Sequence, residues 1–176
     1  QLRELAVHDI AVMWSVIPDH VCLLAAYLTG LSLERIARML GLSSLDARLQ
    51  VATEAVSASR GALKLDTAQH TGLALTGIDD SATPAALWRA AVEDLFELST
   101  QSIAHMDAMV GPSDSIVIAG GWIHDPMVRS AKQAALGDFR VSEVNEAGAM
   151  GAAMFAAISC GEMERPSATQ TPRWQA

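Results

Sequence analysis

The 176-residue sequence predicts a helix-rich α/β domain with a helical segment in front of it. Three stretches carry that reading. Ser115–Ala119 is a short β-branched apolar run behind a turn signal, Gly111-Pro112-Ser113-Asp114, the pattern of a strand buried on both faces. It runs into Gly120-Gly121, and Asp125-Pro126 then opens a helix with Asp as N-cap and Pro at the first position. A second strand candidate, Phe139–Val144, leads into Asn145–Ala157, a helix of very small residues. Such a helix can lie close against a sheet or a ligand, and its plainer reading is a packed core helix.

Strand, glycine turn and helix start together bring bare backbone N–H groups and a helix N-terminus up to an anion or nucleotide. In open parallel sheets ligands sit at the carboxyl ends of the strands. Gly120, Gly121 and Asp125 are therefore the candidate site residues. His124, in the same turn, is within reach of a phosphate or ribose. The plain alternative is a tight connection that needs positive φ.

The remaining elements follow in chain order. Leu2–Ile17 has helical spacing, with Leu2, Leu5, Ala6, Ile10, Met13, Trp14 and Ile17 on one face, and Pro18-Asp19 interrupts it. His20–Leu28 reads as a further helix ended by Thr29-Gly30. Ser32 is the expected N-cap of the helix that follows. Ile36, Ala37, Leu40, Gly41 and Leu42 have helix-turn-helix spacing, with Ser44–Ala58 as the second helix. Arg48 and Gln50 could meet DNA there, but Asp46 and Glu54 would face phosphates. A helical hairpin packed on its neighbours is the competing reading. Gly61–Ile78 is strand and turn material. Thr83-Pro84 caps the longest helix, Pro84–Val110. Leu87, Ala91, Leu95, Leu98, Met106 and Met109 line its apolar face, and Arg89, Glu93, Glu97 and Gln101 its solvated one. The tail from Glu162 has a disordered composition.

Composition narrows the function classes. Hydrophobic residues make up 51% of the chain, ample for a core, and the net charge is −8. An acidic chain disfavours nucleic acid and anionic membrane surfaces as partners. No apolar run reaches the ~18 residues of a membrane span. Cys22 and Cys160 lie far apart in apolar helical contexts and read as buried thiols of a reducing cytoplasm. The five histidines have no metal-ligand spacing, so no metal site is expected. There is no GxSxG and no GxxxxGK[ST]. The chain begins without Met, as a processed or trimmed fragment would.

Three motifs agree on one resemblance. They are Leu87-Trp88-Arg89-Ala90-Ala91-Val92-Glu93, then Ile118-Ala119-Gly120-Gly121, then Glu146 with Ala149, Gly151, Ala152, Ala153 and Ala156. In order and spacing residues 72–161 resemble the C-terminal domain of the FGGY carbohydrate kinases, in the actin-like (ribonuclease H-like) ATPase superfamily. The resemblance implies ATP and Mg²⁺ as cofactors, an adenine nucleotide on the glycine turn, and phosphorylation of a sugar or polyol hydroxyl. Trp122 stands where the family often has a third glycine; it could stack on an adenine or block it. Ile17-Pro18-Asp19-His20 and Tyr27-Leu28-Thr29-Gly30 resemble a stretch near the end of the family's N-terminal lobe; nothing else here matches that lobe, which carries the catalytic Asp and most of the sugar site, so the portion is expected to be inactive alone. The expected division is 1–61 helical, as a helix-turn-helix or a remnant of the N-terminal lobe, 62–161 FGGY-like and 162–176 tail. Two alternatives stay open: a sugar-responsive regulator using Arg35, Arg38 and Arg48 on DNA, and an inactive remnant that binds a partner. A homo-oligomer is open too.

Overall fold

The computed structural model describes residues 2–15, 20–66, 72–144 and 146–164. The expectations for Ile17, Pro18-Asp19, Asn145 and the tail beyond 164 lie outside them. The long helix is the axis of the fold. We number the helices α1 (Leu2–Val7), α2 (Thr29–Met39), α3 (Leu45–Ala55), α4 (Pro84–Val110), α5 (Pro126–Leu136) and α6 (Ala147–Ser159). The strands are β1 (Ile10–Trp14), β2 (Val21–Ala25), β3 (Lys64–Asp66), β4 (Ala74–Thr76), β5 (Val117–Ile118) and β6 (Arg140–Val141).

Helix α4 starts where its residues require. Thr83 Oγ1 accepts the Ala86 N–H at 3.1 Å, and Pro84 occupies the first turn, where its missing N–H costs nothing. Elements α2, α3, α5 and β3 all pack on it. The buried stripe is consequently wider than the one expected. Ala91 and Leu95 are in it, but so are Trp88, Val92, Phe96 and Ser102, while Leu87, Leu98, Met106 and Met109 are only half-buried. The larger cluster joins Leu33, Ile36 and Ala37 of α2, Ala52 and Ala55 of α3, and Met127 and Val128 of α5. A smaller one, Leu63 with Ala86 and Ala90, forms separately. Alanines on these helices allow short interaxial distances.

The polar face of α4 is not simply solvated, contrary to the expectation for Glu93. Arg60 Nη1 donates to Glu93 Oε2 at 3.1 Å, and its Nη2 donates to both Asp94 oxygens at 2.8 and 2.9 Å. Arg89 donates to Glu93 Oε1 at 2.8 Å and to the carbonyls of Val56 and Ala58. Asp94 also accepts the Leu65 N–H at 2.7 Å. These bonds fasten the 56–65 segment, and with it β3, to the middle of α4.

The N-terminal segment corrects the reading most. Helix α1 ends at Val7, and Asp9 takes φ 54°, a left-handed value that Asp tolerates better than most residues. The chain then extends. Strands β1 and β2 form an antiparallel pair, with Ile10 opposite Ala25 and Trp14 opposite Val21. Neither the helix to Ile17 nor the helix His20–Leu28 forms there. A short apolar run suits helix and strand equally, and pairing with a second such run decides. Helix α2 begins at Thr29, so Ser32 is a buried helical residue and not its cap. The second helix is capped as expected: Ser44 accepts the Ala47 N–H at 3.1 Å.

The other strands are shorter than expected. Strand β3 pairs with β4 antiparallel. Strands β5 and β6 are parallel, two residues each, with Val117 opposite Arg140. Ile118 is buried but Val117 is 45% exposed, so β5 is covered on one face. Helix α6 forms where expected yet buries no residue, against the core-helix reading; Phe155 is 49% exposed. Cys22 and Cys160 are exposed, the first on β2 and the second at the end of α6. No described helix is long and apolar enough to cross a membrane.

Candidate nucleotide site

The turn after β5 is built by its own residues. Gly120 has φ 107°, a left-handed value open to glycine and costly for other residues. A Cβ at Gly120 or Gly121 would meet no atom within 4 Å, so the backbone there is bare on its outer side. Gly121–His124 forms a single 3₁₀ turn, and the chain enters α5 at Asp125. Parallel β5 and β6 lie beside this turn, and the N–H of Ser142, just past β6, is donated to the Ile118 carbonyl at 2.8 Å.

Asp125 is the N-cap anticipated from the sequence. Its Oδ1 accepts the Val128 N–H at 2.9 Å. The other oxygen turns inward, where Trp88 Nε1–H donates to Oδ2 at 3.1 Å. The residue is 5% exposed. Burial pushes its carboxyl above the ordinary carboxylate range, against the opposing pull of the bonds from Val128, Trp88 and Met127. Both oxygens are engaged, so Asp125 acts on the site by holding the turn against α4. That tie between the turn and the core was not legible in the sequence.

The raised carboxyl sets a pH dependence. A group whose folded pKa lies above its unfolded value stabilises the fold fully below the unfolded value, about 3.9, and that contribution is lost as pH rises through the folded value. The stability of the wild type relative to Asp125→Asn should therefore rise on acidification from neutral pH toward about 4. Urea titrations of both proteins across that range measure it; a difference that falls on acidification would contradict the buried, proton-favouring environment.

Trp122 is half-buried against the larger core cluster. Its indole rests against Gly30, where a Cβ would come within 3.3 Å of Nε1. The ring centroids of Trp122 and Trp88 are 6.0 Å apart, tilted by 39°. The guanidinium carbon of Arg48, on α3, is 5.9 Å from the Trp122 ring centroid. Two cavities flank the glycine pair. One, of about 330 Å³, lies between the turn and α2–α3 and is lined by Glu34, Leu45, Arg48, Leu49, Trp122 and His124, among others. The second, of about 230 Å³, lies beyond the carboxyl end of β6 and includes Ser142, Val144 and Glu146. Gly121 and His124 border both. The sequence reading missed the α2–α3 wall, because Arg48 and Leu45 are some 70 residues from the turn.

A strand–glycine–helix turn beside a parallel pair, with a cleft on each side of its bare backbone, is an arrangement of α/β domains that leaves backbone N–H groups and a helix start open to a ligand. The chain matches, over residues 11–160, the model of the FGGY family of carbohydrate kinases, C-terminal domain. It belongs to that family. Among solved structures it is similar to xylulose kinase from Rhodospirillum rubrum, with TM-score 0.65 and 18% identity over 88% of this chain and 34% of that one. It is also similar to Plasmodium falciparum glycerol kinase, crystallised with ADP, with TM-score 0.62 and 11% identity over the same shares, 88% and 34%. The chain thus spans about a third of the length of these kinases. A search of the curated proteins found no match.

Proposed function

We propose that this domain is the nucleotide platform of an ATP-dependent carbohydrate kinase, and that Gly120 and Gly121 carry the nucleotide. The observation behind this is the bare glycine backbone between two clefts. The cleft offers a base the apolar surface of Leu45, Leu49 and Trp122, with Glu34, Arg48, His124 and Asp125 also in its lining. The Gly120-Gly121 backbone then lies under the sugar and phosphates, where no side chain intervenes. Trp122 forms a wall of the base cleft, and Asp125 keeps the turn in register. Bound ATP would supply the phosphoryl group, with a sugar or polyol hydroxyl as acceptor.

Phosphoryl transfer also needs a positioned base and charge stabilisation. Among the described residues no three His, Cys, Asp or Glu side chains come together as a cation site. The Mg²⁺ that the family implies would offset the charge of the nucleotide's phosphates. The acceptor site and the catalytic base are assigned to a second lobe, so the domain alone binds nucleotide and transfers nothing. The regulator reading is disfavoured by packing. Helix α3 lies against α4 and α5, and Arg48 is turned onto Trp122, whereas a recognition helix must project into a groove.

Calorimetric titration with ATP and ADP tests the platform. Gly121→Leu is the informative variant: its φ is not left-handed and its Cβ meets nothing, so the fold should persist while the side chain fills the clefts. Saturable binding by the wild type, weakened by at least about tenfold in Gly121→Leu with an unchanged melting temperature, is the expected result. Absence of binding at millimolar nucleotide would refute the assignment.

A further inference from the structure

Helix α2 begins without a cap. No side chain accepts its first N–H groups, and no acidic residue stands in its first turn. The N–H of Ser32 is donated to the Leu28 carbonyl at 2.9 Å, and those of Thr29, Gly30 and Leu31 come before any helical acceptor. A cavity of about 140 Å³ lies at this end of α2, against α4. Thr29, Ser32 and Arg35 line it, at three-residue spacing on one side of the helix. Helical side chains lean toward the N-terminus, which brings the long Arg35 back over the first turn.

Two of these side chains hold bonding capacity that the fold does not use. Ser32 is only 8% exposed, yet among the described residues nothing hydrogen-bonds its hydroxyl. A buried hydroxyl without a partner is costly, and native structures rarely leave one unexplained. Arg35 has no carboxylate beside it among those residues. Leu95 and Leu98 of α4 wall the cavity, and Tyr27 fastens its rim to α4 through a 2.5 Å bond between its hydroxyl and that of Ser102. The lining includes no Asp or Glu, in a chain that carries 20 of them. Donors and one positive charge thus converge with no competing anion. We propose that this cavity binds a phosphate dianion, free or as the phosphoryl end of a monoester. The N–H groups that open α2 and the hydroxyls of Thr29 and Ser32 donate to its oxygens, and Arg35 offsets its charge. The site shares no lining residue with either cleft at the glycine turn, so it stands apart from the nucleotide reading.

The test titrates the full chain with inorganic phosphate, glycerol 3-phosphate and acetate at constant ionic strength, following heat and the amide resonances of Thr29, Gly30 and Leu31. Phosphate should bind saturably and shift those amides, and acetate, planar and singly charged, should bind at least about tenfold more weakly. Arg35→Glu should weaken phosphate by at least about tenfold, and Ser32→Ala by about threefold. Arg35 is exposed and Ser32→Ala removes only a hydroxyl, so both variants should melt close to the wild type. If Arg35→Glu does not fold, Arg35→Gln decides. Gly121→Leu should bind phosphate as the wild type does. A monoester that binds as tightly as inorganic phosphate makes the ligand a phosphoryl end, and a much weaker one makes it the free ion; either supports the site. No saturable binding at tens of millimolar phosphate would overturn it. So would equal affinity for acetate, binding that survives both the Arg35 and the Ser32 substitutions, or binding lost in Gly121→Leu. Failure of nucleotides to bind removes the platform and leaves this site standing.

Discussion

Replacing Trp88 with alanine should cost about 4 kcal/mol, a large share of the roughly 5–15 kcal/mol that stabilises a typical domain. Trp88 is fully buried in the second turn of α4. It belongs to the cluster that joins α2, α3 and α5, so its removal opens a cavity shared by all of them. It also supplies the N–H that Asp125 Oδ2 accepts. Loss of that donor leaves a buried carboxylate oxygen without its partner, a further cost of about 1–3 kcal/mol if no water replaces it. Trp88→Phe separates the two contributions. It keeps most of the ring volume and removes the donor, and should cost about 2 kcal/mol. Urea unfolding followed by circular dichroism measures both. A loss below about 1 kcal/mol for Trp88→Ala would mean that α4 is not the centre of the core.

Gly77→Ala should destabilise by about 3 kcal/mol, the sum of a left-handed backbone and a collision. Gly77 follows β4 with φ +73°, and a Cβ there would lie 2.1 Å from the Ala62 carbonyl oxygen and 2.6 Å from its carbon. The obstacle is backbone, so it cannot swing aside. Gly41 is the matched control. It has the same φ of +73° but no atom within 4 Å of its Cβ position. Gly41→Ala should therefore show only the conformational part, about 1–2 kcal/mol. If the two substitutions cost the same, the close approach of the β4 turn to Ala62 is not as described.

Local chemistry makes several features legible in the order of the residues. Thr83-Pro84, Ser44 and Asp125-Pro126 each start a helix where the sequence places one, because an N-cap needs only a side-chain oxygen three residues ahead of an N–H. The glycine turn between a strand and a helix is legible for the same reason. So is the family, since its motifs are short and local, and the match over residues 11–160 bears it out. The N-terminal pair is not. Ile10–Trp14 and Val21–Ala25 carry apolar residues at spacings compatible with either element, and only their pairing with each other made them strands.

Residue order was enough to set the starts of α3, α4 and α5, the glycine turn and the kinase-like order of motifs, all of which depend on residues within a turn or two of each other. Tertiary structure alone decided what surrounds that turn. It drew Glu93 out of solvent into the pairs with Arg60 and Arg89, set Asp125 against Trp88, and turned Arg48 over Trp122. It also left α6 exposed, although its composition suits a core. Such outcomes follow from which surfaces meet across long separations. Burial and charge pairing are settled by those meetings, and no local pattern encodes them.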